Sequence, residues 1–122
     1  DRVLKFLIQN NQFITLGSAS KNARPILDKV KITGLFDAIV DGNDVSKAKP
    51  NPEVFLKAAR LTKSKTKNCI VFEDSVAGIQ AANKAGMISI GIGNPTILHE
   101  AQYNFDDFKF MSNDFLDQLI KK

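Results

Sequence analysis

Apolar and polar positions follow two alternating patterns along this chain. Short runs of bulky and β-branched residues predict strands at 13–16, 36–40, 69–72, 87–92 and 108–111. Between these runs, apolar residues recur every three or four positions, which predicts helices at 2–9, 23–30, 52–61 and 76–85, and a last helix that ends at residue 120. Strands that alternate with helices are typical of a parallel sheet covered on both faces. We therefore predict a three-layer, Rossmann-like α/β core that takes in residues 1–122 as one domain.

Helix-terminating and helix-capping residues support these boundaries. Asn51 is suited to the N-cap of its helix, with Pro52 as the first helical residue. Gly86 is suited to a left-handed position just after a helix. Ser112 or Asn113 is expected to cap the last helix. The polar stretch 100–107 is predicted to be irregular, and the nine phenylalanines are expected to lie mostly in the core.

Composition excludes several classes of function. The apolar share of 43% is enough for a core, and no apolar run reaches the ~18 residues that a membrane helix needs. No signal peptide is expected at the start of the sequence, and the single cysteine, Cys69, favours a reducing cytoplasm. The net charge is +4, but its densest cluster, Lys63, Lys65 and Lys67, lacks interleaved aromatics. We therefore expect a solvated loop there, and neither nucleic acid nor a membrane as a partner.

Two adjacent carboxylates, Glu73 and Asp74, follow the third predicted strand directly. Ligands of parallel sheets bind where strands end and helices begin. Two acids at such a place are costly unless a cation or a basic ligand lies between them. The alternative is that Asp74 or Ser75 simply caps the next helix. The lone histidine, His99, has no second histidine or cysteine near it and is predicted to be a surface residue.

Two further segments carry anion-binding groups. The segment Gly17–Asn22 follows the first predicted strand, and it offers the Ser18 hydroxyl and free backbone N–H groups at the start of a helix. Ordinary capping by a Ser or Asn is the alternative there. Lys49 precedes Pro50, which favours an extended conformation and a fixed direction for its charge. A solvated lysine is the alternative, and Lys47 is the nearest competitor for the role.

The three segments suit one kind of ligand if the sheet brings them to the same edge. The Glu73 and Asp74 carboxylates would hold Mg²⁺, a hard cation that prefers oxygen ligands. Lys49 and the amides near Ser18 would bind phosphoryl oxygens. Such a set stabilises the charge that develops in phosphoryl transfer.

These segments also resemble a known family. The motifs GSASKN at 17–22, KPNPEVF at 49–55 and EDSVAGIQAA at 73–82 are similar to those of the haloacid dehalogenase superfamily, and most of all to its β-phosphoglucomutase-like branch. The resemblance covers nearly the whole chain, about residues 3 to 120. It implies a Mg²⁺-dependent enzyme that acts on a phosphorylated sugar or another small phosphorylated metabolite.

The resemblance also implies roles for individual residues. Ser18, helped by the amide of Ala19, would bind the transferring phosphoryl group, and Lys49 would neutralise charge beside it. Glu73 and Asp74 would hold Mg²⁺, with Asp74 the stronger candidate for direct ligation. The residues that would contact the other phosphate of the sugar share polar side chains: Ser20, Lys21 and Asn22.

The sequence departs from the family pattern in one respect that affects both fold and function. The Asp-x-Asp-Gly motif, which carries the nucleophilic aspartate and the acid/base aspartate, is not found in these 122 residues, nor is a helical cap domain. In the family that motif ends a strand that lies between the strands expected here at 13–16 and 69–72. We therefore expect a core that is incomplete at this strand, completed by an N-terminal segment of a longer protein or by a second copy.

Three functional hypotheses remain open from the sequence. The first is a phosphoglucomutase-like phosphotransferase that works through an aspartyl-phosphate in the full-length protein. The second is a phosphatase that sends the same intermediate to water. The third is that this chain by itself is a non-catalytic fragment.

Overall fold

The computed structural model of the chain describes residues 2, 6, 15–17, 38–40 and 45–120, with the backbone alone described at 15–17 and 38–40. The strands are β1 (Thr15–Gly17), β2 (Ala38–Val40), β3 (Ile70–Glu73), β4 (Ile88–Ile92) and β5 (Tyr103–Phe105). The helices of the described part are α1 (Glu53–Leu61), α2 (Val76–Lys84) and α3 (Asn113–Ile120), with short 3₁₀ turns at Thr66–Asn68 and Phe108–Phe110. Arg2 and Phe6 are also helical.

The described strands form two separate parallel sheets. One sheet pairs β1 with β2, and the other has the order β3-β4-β5. Within the part of the chain that the structure describes, β3 has a neighbouring strand on one side only, and no backbone pairing joins it to β1. The predicted parallel α/β architecture is confirmed, and so is its incompleteness within these strands.

Helices cover both faces of the larger sheet because its strands alternate in side-chain direction. Val71 of β3 faces α1 and α2, in a cluster with Val54, Phe55, Ala59, Ala81, Ala82, Ala85 and Met87. Ile90 of β4 faces the other way, in a cluster with Met111, Leu116 and Leu119 and with Phe6 packed against it. Helix α1 also approaches β1 and β2, so it lies against both sheets. The core is therefore two apolar layers with the β3-β4-β5 sheet between them.

The prediction of the fifth strand was wrong. The strand is Tyr103–Phe105, inside the segment expected to be irregular, whereas Phe108–Phe110 forms a 3₁₀ turn. Tyr103 and Phe105 both pack edge-on against Phe115, at ring-centroid distances of 5.2 and 5.0 Å. The two aromatics lie on one face with the polar Asn104 between them, and this three-residue alternation is too short to be distinguished from a loop by pattern alone.

Other boundaries agree to within a residue or two. Helix α1 begins at Glu53, with the Asn51 side chain accepting a hydrogen bond from the Glu53 N–H at 3.0 Å. Gly86 takes a φ of +78°, as predicted for a left-handed helix terminus. Ser112 accepts the Phe115 N–H at 3.1 Å, so it is the cap of α3. The predicted helix at 23–30 lies outside the described residues.

Four apolar residues depart from their expected burial. Leu61, one of the apolar positions that predict the helix at 52–61, is 54% exposed. Phe108 and Phe110 are 37% and 61% exposed, against the expectation that the phenylalanines fill the core. Val76, placed on the buried side of its helix by periodicity, is 38% exposed. It is the first residue of α2, where the chain has not yet turned onto the sheet. In the described part of the chain, none of the helices has the length and apolarity that a membrane crossing requires.

Truncation of Leu116 to alanine tests the second apolar layer. Leu116 is 0% exposed, so we expect Leu116→Ala to lower the free energy of unfolding by about 2–5 kcal/mol, because it leaves a cavity between α3 and the sheet. Phe110→Ala, at an exposed position, is the control and should change it by no more than ~0.5 kcal/mol. Urea denaturation measures both, and equal losses would contradict the assignment of Leu116 to the core.

Candidate active site

Lys49 lies in a tight turn between β2 and α1. The turn spans residues 48–51 and is closed by a hydrogen bond from Asn51 N–H to the Ala48 carbonyl at 3.0 Å. The Lys49–Pro50 peptide is cis, with the proline at the third position of the turn, which is the arrangement of a type VI turn. The turn directs the lysine side chain inward, where it is 13% exposed.

The loop that leads to this turn is fastened to the start of α1. Glu53 accepts hydrogen bonds from the Ser46 backbone N–H at 2.6 Å and from the Ser46 hydroxyl at 2.9 and 3.1 Å. These bonds, the backbone one first, hold the pKa of the Glu53 carboxyl below its ordinary value. Ser46 was not recognised from the sequence, because a serine seven residues before a glutamate has no local signature.

Glu73 is the last residue of β3, not the first residue after it. The strand's alternation therefore sets its direction, and its side chain faces α2, on the same side of the sheet as Val71. The Glu73 Oε2 atom accepts a hydrogen bond from Lys49 Nζ at 2.8 Å, and the Glu73 side chain is 10% exposed. The two charges thus form an ion pair largely screened from solvent.

The second carboxylate oxygen of Glu73 is also hydrogen-bonded. Oε1 accepts the Asp74 N–H at 3.1 Å, the Ser75 N–H at 3.2 Å and the Ser75 hydroxyl at 3.0 Å. Burial raises the pKa of Glu73, but the hydrogen bond and charge of Lys49, together with Ser75 and Asp74, outweigh burial and leave that pKa below its usual value. Glu73 is therefore held as a carboxylate at neutral pH.

Asp74 differs from Glu73 in its surroundings. It is exposed, and among residues 45–120 its carboxylate has no hydrogen-bond or ion-pair partner. Ser75 is the N-cap of α2, its Oγ accepting the Gly78 N–H at 3.0 Å. The capping alternative thus holds for Ser75, while Asp74 supplies a negative charge that has no partner among residues 45–120.

Two further residues, for which the sequence predicted no role in the site, lie against the Lys49–Glu73 ion pair. The ring of Phe55 lies 5.2 Å from Lys49 Nζ, a cation–π distance. Gly78, which belongs to the motif at 73–82, lies beneath the Glu73 side chain. Both belong to motifs quoted above, but periodicity assigned them to core and helix.

The remaining predicted site residues have different outcomes. Lys47, the competitor of Lys49, is exposed, whereas Lys49 reaches the acidic pair. His99 is exposed, as predicted. No cluster of three or more metal-binding side chains occurs among the described residues. The residues predicted to bind phosphate at the first loop lie outside the described part: Ser18, Ala19, Ser20, Lys21 and Asn22.

The exposed lysine cluster agrees with its interpretation as a solvated loop. Lys63, Lys65 and Lys67 are all exposed, the first two before the 3₁₀ turn at Thr66–Asn68 and Lys67 within it. Cys69 is half-buried beside them, and burial raises the pKa of its thiol.

The sequence and fold of this chain are similar to those of known proteins. Residues 5–92 match the haloacid dehalogenase-like hydrolases. The chain belongs to this family. Within it, the similarity is to the β-phosphoglucomutase-like branch: the chain is 41% identical over 92 residues to the β-phosphoglucomutase of Bacillus subtilis (strain 168), an alignment that covers 75% of this chain and 41% of that protein.

Other relatives extend this comparison. The crystal structure of a β-phosphoglucomutase from Clostridium difficile superimposes with a TM-score of 0.91 at 36% identity, covering 98% of this chain and 54% of that one. A fructose-1-phosphate phosphatase of Escherichia coli (strain K12) is 38% identical over 76 residues, or 62% of this chain and 40% of that protein. This haloacid dehalogenase-like chain thus spans about half the length of its relatives or less.

Removal of Lys49 tests the buried ion pair. Lys49→Met should lower the free energy of unfolding at pH 7 by about 1–3 kcal/mol, because it leaves the Glu73 carboxylate buried without its cation. The pKa of Glu73 is lower in the folded chain than in the unfolded one, so the stabilisation is complete above about pH 5 and is lost as the pH falls through the folded-state value. The difference between the two proteins should therefore shrink in acid.

Urea denaturation between pH 7 and pH 3 measures this effect. The control is Lys47→Met, which removes an exposed lysine two residues away and should change stability by less than ~0.5 kcal/mol at every pH. A Lys49→Met deficit that stays constant down to pH 3 would show that the charge of Glu73 is not involved.

Proposed function

We propose that the protein to which this chain belongs carries out Mg²⁺-dependent phosphoryl transfer on a phosphorylated sugar, in the manner of a β-phosphoglucomutase. One observation carries the proposal: a neutralised Lys49–Glu73 pair, 2.8 Å apart, lies beside the exposed Asp74 carboxylate where β3 ends. The Lys49 ammonium group can bind an anion in this site, with its charge partly offset by Glu73, and Asp74 adds a negative charge that has no partner among the described residues. A phosphate and a divalent cation bound side by side need that combination.

The donor set fits Mg²⁺ in part. Asp74 provides an exposed oxygen ligand with no competing partner among the described residues, and we assign it as the direct ligand. Both oxygens of Glu73 are hydrogen-bonded, so Glu73 supports the site through Lys49 and ligates directly only if Lys49 moves away. When bound, the cation would draw off charge from a phosphoryl oxygen.

The chain's own residues would bind and orient the substrate. Lys49 would contact the transferring phosphoryl group, where its positive charge offsets the negative charge that develops in transfer. The hydroxyl of Ser18 and the amide of Ala19 would hold the same group from the β1 side. The polar side chains that follow would bind the second phosphate of the sugar: Ser20, Lys21 and Asn22.

The nucleophile would come from outside these 122 residues. We propose that an aspartate on a further parallel strand, inserted between β1 and β3, accepts the phosphoryl group as an aspartyl-phosphate, and that a second aspartate two residues on acts as acid and base. The unpaired side of β3 supports this placement, since such a strand would end beside Lys49 and Asp74. An N-terminal segment of the same protein is the favoured source, with a second copy as the alternative.

A phosphatase is the second candidate function. It is favoured by the similarity to the fructose-1-phosphate phosphatase and to a validoxylamine A 7′-phosphate phosphatase of Streptomyces hygroscopicus subsp. limoneus, which is 32% identical over 107 residues. The same residues would serve both reactions, because they differ only in whether the sugar or water takes the phosphoryl group. Product analysis with a hexose 1-phosphate separates them: isomerised sugar phosphate supports the mutase, and inorganic phosphate supports the phosphatase.

The isolated 122-residue chain should show no turnover. It contributes a lysine and carboxylates but no nucleophilic aspartate, and these groups alone cannot form the covalent intermediate. A phosphatase assay with a chromogenic aryl phosphate and Mg²⁺ measures this directly. Mg²⁺-dependent turnover by the isolated chain would contradict the proposal that the nucleophile lies elsewhere.

Asp74→Asn tests the metal assignment in the intact protein. Loss of the charged ligand should weaken Mg²⁺ binding by about 100-fold or more, because the amide keeps the shape but not the charge. Isothermal titration with Mg²⁺ and turnover at saturating Mg²⁺ are the measurements. The control, Asp106→Asn, changes another exposed aspartate after a strand and should leave both unaltered. Equal Mg²⁺ affinity in the Asp74→Asn protein would overturn the assignment.

A further inference from the structure

Gly78 is a glycine that the backbone of α2 does not require. It lies inside the helix, it is buried, and it does not share the positive φ found at Gly86 and Gly93. Glycine within a helix is less favourable than alanine, so the backbone conformation does not explain why a glycine occupies this position. The reason must come from the space that a side chain would fill.

That space is filled by Glu73. A Cβ atom built on Gly78 would lie 2.0 Å from Cδ, 2.1 Å from Cγ and 2.3 Å from Oε2 of Glu73. The last of these atoms is the one that binds Lys49 Nζ. The Glu73 carboxylate therefore lies against the first turn of α2, over Gly78, and reaches Lys49 because no side chain occupies that space.

Phe55 holds the lysine from another direction. Its ring is 7% exposed, fixed in the apolar cluster of α1 and α2, and lies 5.2 Å from Lys49 Nζ. The ammonium group thus touches a carboxylate and an aromatic ring at once.

We propose that Gly78 and Phe55 are positioning residues for Lys49: the missing side chain of Gly78 lets Glu73 hold the ammonium group, and the ring of Phe55 restricts it. The link to phosphoryl transfer rests on the function proposed above, whereas the effect on the ion pair does not. Loss of either residue leaves Lys49 present but free to move. Transfer should then slow more than substrate binding weakens, because a misplaced charge costs more in the transition state than in the bound substrate.

The first experiment is a thermal-unfolding cycle in the intact protein. With Glu73 present, Gly78→Ala should lower the melting temperature, because the new Cβ displaces the carboxylate from Lys49. With Glu73→Ala already made, Gly78→Ala should raise the melting temperature, because only the better helix propensity of alanine remains. A decrease of equal size in both backgrounds would overturn the proposal, since the clash would then lie elsewhere.

The second experiment follows the contact between Glu73 and Lys49 at one fixed, neutral pH. In carbon-13 NMR spectra of the intact protein, Gly78→Ala should move the resonances of Glu73 Cδ and Lys49 Cε, because the carboxylate leaves Lys49 and Ser75. Gln80→Ala, on the same helix but hydrogen-bonded to Glu100 at 3.3 Å, is the matched control and should leave both resonances unchanged. Unaltered Glu73 and Lys49 resonances in the Gly78→Ala protein would overturn the proposal.

The third experiment separates positioning from folding and from the proposed function. Phe55→Leu, which keeps an apolar side chain but removes the ring, should lower kcat about 10- to 100-fold with little change in KM, and Phe55→Tyr should restore most of it. Unchanged kcat in Phe55→Leu, or no rescue by tyrosine, would overturn the role of the ring. If the unaltered intact protein has no phosphoryl-transfer activity, the proposed function fails, while the melting cycle and the NMR spectra still decide the role of Gly78.

Discussion

The ion pair between Lys49 and Glu73 is the interaction on which the site depends. It joins the turn before α1 to the end of β3, two segments that are 24 residues apart in sequence. Both side chains are nearly buried, so neither charge is tolerable without the other. Each partner is in turn held by its surroundings: Glu73 by the Asp74 and Ser75 amides just before α2, and Lys49 by the aromatic ring of α1. The pair therefore ties both helices to the sheet at the place where the chemistry is proposed.

The second constraint is the side of β3 that has no strand partner within the described part of the chain. A strand whose flanking residues pack into two apolar layers is built for the interior of a sheet, and its open N–H and C=O groups favour a further strand. Among the described strands, β1–β2 and β3-β4-β5 remain separate sheets, with α1 packed against both. A parallel strand between them would complete the sheet and bring its carboxyl end to Lys49 and Asp74. Completion of the fold and completion of the site are thus proposed to be the same event.

Local sequence signals were sufficient where a segment's neighbours reinforce its pattern. The apolar runs that became β3 and β4, the glycine that ends α2 and the serine that caps α3 were all placed to within a residue. The fifth strand was misplaced because Tyr103 and Phe105 form a strand only by pairing with β4 and packing on Phe115. Phe108 and Phe110 carry as strong an apolar signal, yet their backbone forms a 3₁₀ turn and pairs with none of the described strands. Pairing partners decide between two such candidates, and they are not adjacent in sequence.

The sequence by itself determined the family, the α/β alternation and the identity of the charged groups, because motifs and periodicity are local properties of the chain. Tertiary structure decided which of those groups is buried in an ion pair and which is exposed to a ligand. Glu73 and Asp74 are neighbours with the same chemistry, but the end of β3 directs one inward to Lys49 and leaves the other exposed. Gly78 acquires its importance only from the side chain that crosses it. These assignments depend on which atoms meet across the fold, and no pattern along the chain encodes such distances directly.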